Sequence, residues 1–256
     1  MTNSRVVAKG AIEPSNATPL TTLTLFGYPR RERLWAFLQM GLAQRALTNV
    51  HGLRFWKLLG SGHGRGFSLQ PNWGRYGLFA VWETQADADT FFASAPLMAA
   101  YRRHTSEIWT IRLWPVQAHG AWSGVNPFLP LSQQPISGPV AILTRAAIHT
   151  SQLINFWRAV PATSQAIEQA DGLLASIGIG EAPFIRQATF SLWRSVADVQ
   201  KFAYGMNAHR AAIQRTRAEN WYCEELFARF VPVSSEGSWQ GRDPLRDYAA
   251  SISTEQ

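Results

Sequence analysis

Cysteine is nearly absent: Cys223 is the single one in 256 residues. One thiol excludes an intramolecular disulfide and any cysteine-ligated cluster. It stands beside Tyr222 in an expected strand, where a thiol reads as buried and inert. Charge is sparse too, at 16% of residues, and acids are the minority, 17 against 24 bases. The resulting balance of +7 suits nucleic acid, an anionic membrane or an acidic electron donor. The arginines are scattered singly, without a basic run or helix stripe, which argues against nucleic acid. No apolar run approaches the ~18 residues that span a bilayer. The N-terminus lacks the apolar core of a signal peptide, so a cytoplasmic protein is expected. No HxH, HExxH or paired His/carboxylate spacing surrounds any of the six histidines, which leaves tetrahedral and facial-triad metal sites without support. A Gly-x-Ser-x-Gly elbow and a Ser/His/Asp set are missing as well, so hydrolase chemistry has none.

What the chain does have is aromatic bulk, with eleven tryptophans and fourteen phenylalanines. Indoles in that number point to a cavity or an interface. Residues 1–19 read as a polar tail. Strands are expected at Leu20–Tyr28, Gly52–Leu59, Tyr76–Trp82 and Ile108–Trp114. Helices are expected at Arg33–Arg45, amphipathic with Leu34, Phe37, Leu38 and Gly41 on one side, and at Gln85–Ala93 and Pro96–His104. Gly60–Arg75 reads as a glycine-rich loop over a cavity mouth, with Arg65, Phe67 and Trp73 able to touch a ligand or partner. Its GSGHGRG run does not open a helix, which a phosphate cradle needs. A Pro- and Ser-bearing linker covers 127–138. The plan then repeats, with strands at Val140–Ala147 and Leu173–Ile179, a helix at Leu153–Val160, and a polar tail over 242–256.

The halves align residue on residue. Phe79-Ala80-Val81-Trp82 answers Phe190-Ser191-Leu192-Trp193, an offset of 111 (193 − 82). Gly120-Ala121-Trp122-Ser123-Gly124 answers Gly237-Ser238-Trp239-Gln240-Gly241, an offset of 117 (237 − 120). Each half, 20–126 and 139–241, reads β-α-β-β-α-β. The expected fold is therefore α+β: two tandem ferredoxin-like units packed sheet to sheet as an α/β barrel.

Within the second half, Ala188–Phe230 reads as strand, helix, break, helix, strand. Ser195 caps the first helix with Asp198 three residues on. Val196, Val199 and Phe202 then recur at helical spacing. Gly205 and Asn207 interrupt it, and in the next helix His209, Ala212, Ile213 and Thr216 share a face. The matching helix of the first half carries Ala99, Ala100 and Tyr101 and has its only histidine, His104, on another face. An inward imidazole in one half alone suggests one site per chain, with His209 as an iron ligand. The alternative is a core histidine satisfied by a backbone carbonyl. Trp56, Lys57, Arg145, His149 and Arg186 sit in or beside strands as possible pocket residues. A cation such as Arg145 can hold a haem propionate or polarise bound dioxygen, or it can simply reach solvent.

At Phe55-Trp56-Lys57-Leu58, Ser176–Glu181 (SIGIGE), Thr189–Trp193 (TFSLW) and Glu224–Phe230 (EELFARF), the chain resembles the spheroidene monooxygenase family of purple bacteria. Leu34-Trp35-Ala36-Phe37, Gln39-Met40-Gly41 and Gly237-Ser238-Trp239 carry the likeness further, from about Leu25 to Leu245. The resemblance implies a haem b protein that takes electrons from reduced ferredoxin and uses dioxygen to hydroxylate a terminal carbon of an acyclic carotenoid twice, yielding a ketone. The helix with His209 also resembles the axial-histidine helix of dimeric α/β barrel haem enzymes, in which an aromatic on the preceding helix, here Phe202, leads to the ligand. On that basis His209 is expected to bind the metal. Phe202, Ile213, Trp193 and Arg186 are expected to line the cofactor pocket, and Arg145, Lys57 and Trp56 to serve catalysis. A polyene substrate implies a visit to the membrane surface from the cytoplasm, and a positive chain suits both that surface and an acidic ferredoxin. Two other readings stand beside this one: a haem enzyme on the same barrel acting on a small soluble molecule by oxidation or dehydration, and a ligand-binding barrel without catalysis. The duplication supplies the pairing that single-domain relatives obtain by dimerising, so monomer and homo-oligomer are both open.

Overall fold

A computed structural model describes residues 19–64, 66, 68–133, 136–205, 215–216 and 218–254, with the backbone alone at 162, 163, 204, 205 and 254. The first half runs β1 (Leu20–Gly27), α1 (Arg33–Thr48), β2 (Leu53–Gly62), β3 (Pro71–Trp82), α2 (Gln85–Ser94), α3 (Pro96–His104) and β4 (Glu107–Gly120). The second runs β5 (Val140–Ile148), α4 (Leu153–Glu168), β6 (Leu173–Ala182), β7 (Arg186–Trp193), α5 (Val196–Gly205) and β8 (Tyr222–Gly237), followed by α6 (Pro244–Thr254).

The eight strands close a barrel in the order β1-β3-β2-β6-β7-β5-β8-β4. Each half contributes four antiparallel strands in the same order, and the expected α+β double unit is what is found. The two sheets face each other across one core and are also stitched at both edges. One seam is short, Gly60↔Gly180 and Ser61↔Ile179. The other is long, from Trp109↔Gly237 to Gly120↔Leu226. Closure removes the open sheet edges that each half would present alone.

Strand alternation sorts the side chains into two layers. On β5, Ala141 and Leu143 point into the barrel, while Val140 and Ile142 point out. The interior is solid, because Trp122, Phe128 and Trp239 fill it alongside the inward aliphatic residues of the strands. Phe128, in the segment read as a linker, stands edge-on to Phe230, with ring centroids 5.1 Å apart. The outer faces are covered by α1–α3 in the first half and by α4 and α5 in the second.

Helix starts follow the local chemistry. The Asp198 amide donates to Ser195 Oγ at 3.2 Å, and Asp87 does the same to Thr84 Oγ1 at 3.1 Å, again 111 positions apart (195 − 84). Four expectations need correction. Cys223 is exposed, with Sγ 3.4 Å from the Ala147 carbonyl, because strand alternation sets it on the face of β8 opposite the inward Leu226 and Ala228. The tail beyond Arg242 is not all irregular: Asp243 Oδ1 accepts the Leu245 amide at 3.2 Å and Pro244 opens α6. Gly60–Arg75 is loop only over 63–70, since β2 runs to Gly62 and β3 starts at Pro71; Arg65 and Phe67 lie outside the described residues. Finally, Leu34, Phe37 and Leu38 on α1 face away from the core, which the helix meets through Ala36, Ala43 and Leu47.

Candidate functional site

The outward residues of β5, β7 and β8 and the inward residues of α4 and α5 do not close completely. Between them lies an apolar cavity of about 160 Å³, walled chiefly by Ile142, Ile167, Trp193, Val199, Phe202 and Phe227. Trp193 is buried at the end of β7, and its Nε1 donates to Ser191 Oγ at 2.8 Å. Phe202 lies against it from α5, with ring centroids 5.2 Å apart at 39°. The capped start of α5 sets that contact, since Phe202 follows Val199 at helical spacing.

A haem needs an apolar cleft and an axial donor. The described residues supply an apolar flank of the right character. The cavity is below the roughly 300 Å³ of an ordinary ligand pocket, so the described residues do not by themselves enclose a porphyrin. Among the described residues, none that lines it is a histidine, cysteine, tyrosine or methionine. The donor indicated by the sequence, His209, lies outside the described residues, and so does Ile213. Among the described residues no group of three or more His, Cys, Asp and Glu can hold a metal ion. His104, the histidine of the matching first-half helix, is engaged elsewhere: its Nδ1 is 2.7 Å from Glu32 Oε2 and its ring stacks on Trp35 at 4.0 Å.

Arg145 and Lys57 occupy the other face of the sheet. Arg145 shares the inward face of β5 with Ala141 and Leu143, and it is only 2% exposed. It pairs with Glu224 of β8, and its Nη2 is 3.4 Å from Glu181 Oε1 of β6. Lys57 on β2 reaches the same carboxylate, Nζ to Oε2 at 3.5 Å, and donates to Ser123 Oγ at 2.7 Å. Arg186, at the opposite end of β7 from Trp193, is 3.9 Å from Glu181 Oε2 and half exposed. Trp122 Nε1 also donates to Glu181. Glu224 accepts from the amides of Ser123 at 3.1 Å and Gly124 at 2.7 Å. Burial by itself raises the Glu224 carboxyl, but those two amides and the Arg145 guanidinium outweigh it and hold its pKa below the usual 4.5.

Three of the sequence-indicated residues, Lys57, Arg145 and Arg186, are thus gathered on Glu181, across the sheet from Trp193 and Phe202. Trp56 joins neither group; it points outward from β2 into the layer under the first-half helices. Sequence reasoning missed the hub itself. Glu181 and Glu224 are acids in apolar strands, Glu181 directly after Ser176-Ile177-Gly178-Ile179-Gly180, and a charged residue in such a run is the available signal.

A second apolar cavity, of about 410 Å³, opens at the short seam. Phe37 and Met40 of α1, Leu69 and Trp73 of the β2–β3 hairpin, and Phe184 of the β6–β7 turn form its rim, and Glu181 and Gln187 lie in its wall. Phe37 and Trp73 meet edge to face at 5.6 Å. Among the described residues no helix is long and apolar enough to cross a membrane.

No protein-family model matches the chain. A spheroidene monooxygenase of Rhodobacter capsulatus is 41% identical over 230 residues, which cover 89% of this chain and 95% of that protein. A protein of the same name from Rubrivivax gelatinosus is 40% identical over 210 residues, 82% of this chain and 80% of the relative. Among solved structures, the aldoxime dehydratase OxdRE in complex with butyraldoxime superposes with a TM-score of 0.58 at 11% identity, covering 91% of this chain and 86% of that one. A second aldoxime dehydratase gives 0.56 at 12%, with 96% and 95% covered. At such identities these structures speak for the barrel alone.

Proposed function

The chain belongs to the spheroidene monooxygenase family, and from that premise we propose that it is a haem-dependent monooxygenase acting on an acyclic, spheroidene-like carotenoid with dioxygen and electrons from reduced ferredoxin. The observation that carries this reading is the 41% identity maintained along 89% of the chain. It goes beyond isolated motifs, because the likeness includes strands, helices and turns of both halves.

In this reading the cofactor lies on the outer face of the second half. Trp193 and Phe202 supply an apolar flank, and His209 and Ile213 follow α5 in the chain. His209 would be the residue to hold the iron. The haem iron, when bound, supplies the activation of dioxygen. The protein's own part is to exclude water through the aromatic and branched side chains of the cavity and to present the iron to an apolar substrate. Lys57, Arg145 and Arg186 are assigned a different task. They neutralise Glu181 and Glu224, and with them fix the Trp122 turn at the barrel end. A carotenoid does not run through the lumen, which is filled; the open apolar space lies at the short seam.

The test is an absorption spectrum of protein purified with haem supplied, with and without dithionite and carbon monoxide. A Soret band that is lost or shifted in His209→Ala is expected. Colourless wild-type protein ends the haem reading. Incubation with spheroidene, ferredoxin and a ferredoxin reductase is expected to give hydroxylated and keto products. A coloured protein that leaves the carotenoid untouched belongs instead with haem enzymes of small soluble substrates.

A further inference from the structure

Helix α1 turns its apolar stripe to solvent. Leu34, Phe37, Leu38 and Leu42 recur at i, i+3, i+4 and i+8, so they lie on one face, and that face is bare: Leu34 is 70% exposed and Leu42 65%. Trp73 and Leu69, both half exposed, extend the patch from the neighbouring hairpin. A contiguous apolar patch of this kind on a folded domain marks a place of contact.

The duplication supplies an internal control. Helix α4 is the counterpart of α1, also 16 residues long, 120 positions on (153 − 33). Where α1 has Leu38 and Leu42, α4 has Arg158 and Ala162. At Ile154 and Trp157 α4 keeps apolar counterparts of Leu34 and Phe37, so the stripe is repeated only in part, and the architecture does not require Leu38 and Leu42.

The charges around the stripe are basic. Arg30, Arg31 and Arg33 lie at the start of α1 and Arg45 in its last turn, all exposed, and α1 contains no acidic residue. The one acid at its start, Glu32, is engaged by His104. An apolar helix face with arginines at both ends is the composition that settles into an anionic lipid interface, with leucine and aromatic side chains entering the acyl boundary and guanidinium groups meeting phosphates. The patch is also continuous with the 410 Å³ apolar cavity, since Phe37, Leu69 and Trp73 belong to both.

We propose that the outward face of α1, with Leu69 and Trp73, docks on an anionic bilayer surface and sets the mouth of the seam cavity against the lipid. This rests on the reading of an apolar, membrane-dissolved substrate and adds the face through which the protein reaches it.

The experiment is sedimentation of the full chain with phosphatidylcholine vesicles, with and without phosphatidylglycerol. Wild type is expected to bind the mixed vesicles and to bind pure phosphatidylcholine more weakly. Leu34→Ser/Leu38→Ser/Leu42→Ser is expected to lose at least roughly tenfold in partitioning, since three apolar side chains leave the interface. Arg30→Gln/Arg31→Gln/Arg45→Gln is expected to lose the phosphatidylglycerol enhancement. Ile154→Ser, on the outward face of α4, is expected to change neither. The substituted side chains are exposed, so circular dichroism melts are expected to match wild type. The proposal is overturned if wild type stays in the supernatant or if the leucine variant binds undiminished. It is equally overturned if the leucine variant turns a wild-type dimer into monomers without altering vesicle binding, because the occupant of the face is then a second copy. Turnover of spheroidene in detergent micelles separates this proposal from the functional one. The leucine variant is expected to keep that activity and lose it on vesicle-embedded substrate. Vesicle binding without any carotenoid turnover spares the docking face and removes the enzyme reading.

Discussion

Glu107 and Glu224 stand 117 positions apart (224 − 107), and each closes a turn of the opposite half. Glu224 accepts the amides of Ser123 and Gly124 at 3.1 and 2.7 Å. Glu107 Oε1 accepts the Gly241 amide at 2.7 Å and the Ser238 hydroxyl at 3.1 Å. The Gly-x-Trp-x-Gly turns so held fold Trp122 and Trp239 into the two ends of the barrel. The barrel is closed by reciprocal clamps as well as by strand pairing, which is how two tandem units become one core.

The clamps are not equal. Glu224 also carries Arg145, a guanidinium buried to 2% exposure, whereas the cation that Glu107 acts on, Arg75, is only partly buried. Glu224→Gln is therefore expected to cost about 2–4 kcal/mol, because it leaves a buried cation short of a carboxylate. Glu107→Gln is expected to cost about 1–2 kcal/mol, the scale of its hydrogen bonds. Urea unfolding of the two variants beside wild type measures the order, and equal costs would contradict the asymmetry.

The same carboxylate sets a pH dependence. The folded pKa of Glu224 is depressed, so its contribution is fully present above the ordinary 4.5 and is lost as pH falls through the depressed value. The stability gap between wild type and Glu224→Gln is expected to hold steady from pH 7 to about 5 and to narrow below 4.5. Urea midpoints collected from pH 7 to 3 give the curve. A gap that widens in acid has the wrong sign for this linkage.

The turn glycines separate backbone strain from steric clash. Gly120 and Gly124 both adopt left-handed backbone, φ 86° and 80°. A Cβ at Gly120 runs into the Glu225 carbonyl, whereas at Gly124 it meets nothing within 4 Å. Gly124→Ala is expected to cost about 1 kcal/mol, the ordinary penalty for a side chain in that region. Gly120→Ala adds a backbone collision and is expected to cost roughly 3 kcal/mol or more. Thermal melts of the pair decide it, and similar losses would mean that the turn yields.

The doubled plan was legible because it is written in local chemistry that repeats. Ser195 with Asp198 and Thr84 with Asp87 start equivalent helices, and Trp193 and Trp82 end equivalent strands. Orientation was harder. A stripe such as Leu34, Phe37, Leu38 and Gly41 shows that a helix has an apolar face but not whether that face meets the core, and here small residues, Ala36 and Ala43, make the close approach instead. Helix α6 was overlooked although Asp243 and Pro244 mark its start, because the residues around them are polar. Trp193 and Phe202 are each expected beside the cofactor on the resemblance alone, and their contact with one another comes from the structure. The separation of Arg145 and Lys57 from that pair was not legible, because the face taken by a charge in a strand depends on register.

That separation makes the cofactor flank testable by itself. Phe202 is half-buried against Trp193, so Phe202→Ala is expected to cost about 2 kcal/mol, less than the 3–5 kcal/mol of a fully buried ring. It also removes one flank of the apolar cavity, so the Soret absorbance per protein is expected to fall several-fold, while Phe202→Leu, which keeps apolar bulk, retains most of it. Trp56→Phe, on the first-half outer layer, serves as the comparison and is expected to leave the band unchanged. Haem titration of the three variants followed by gel filtration measures retention. If Phe202→Ala holds haem as well as wild type while Trp56→Phe loses it, the cofactor sits against the first half, and the outer face of β5, β7 and β8 has another purpose.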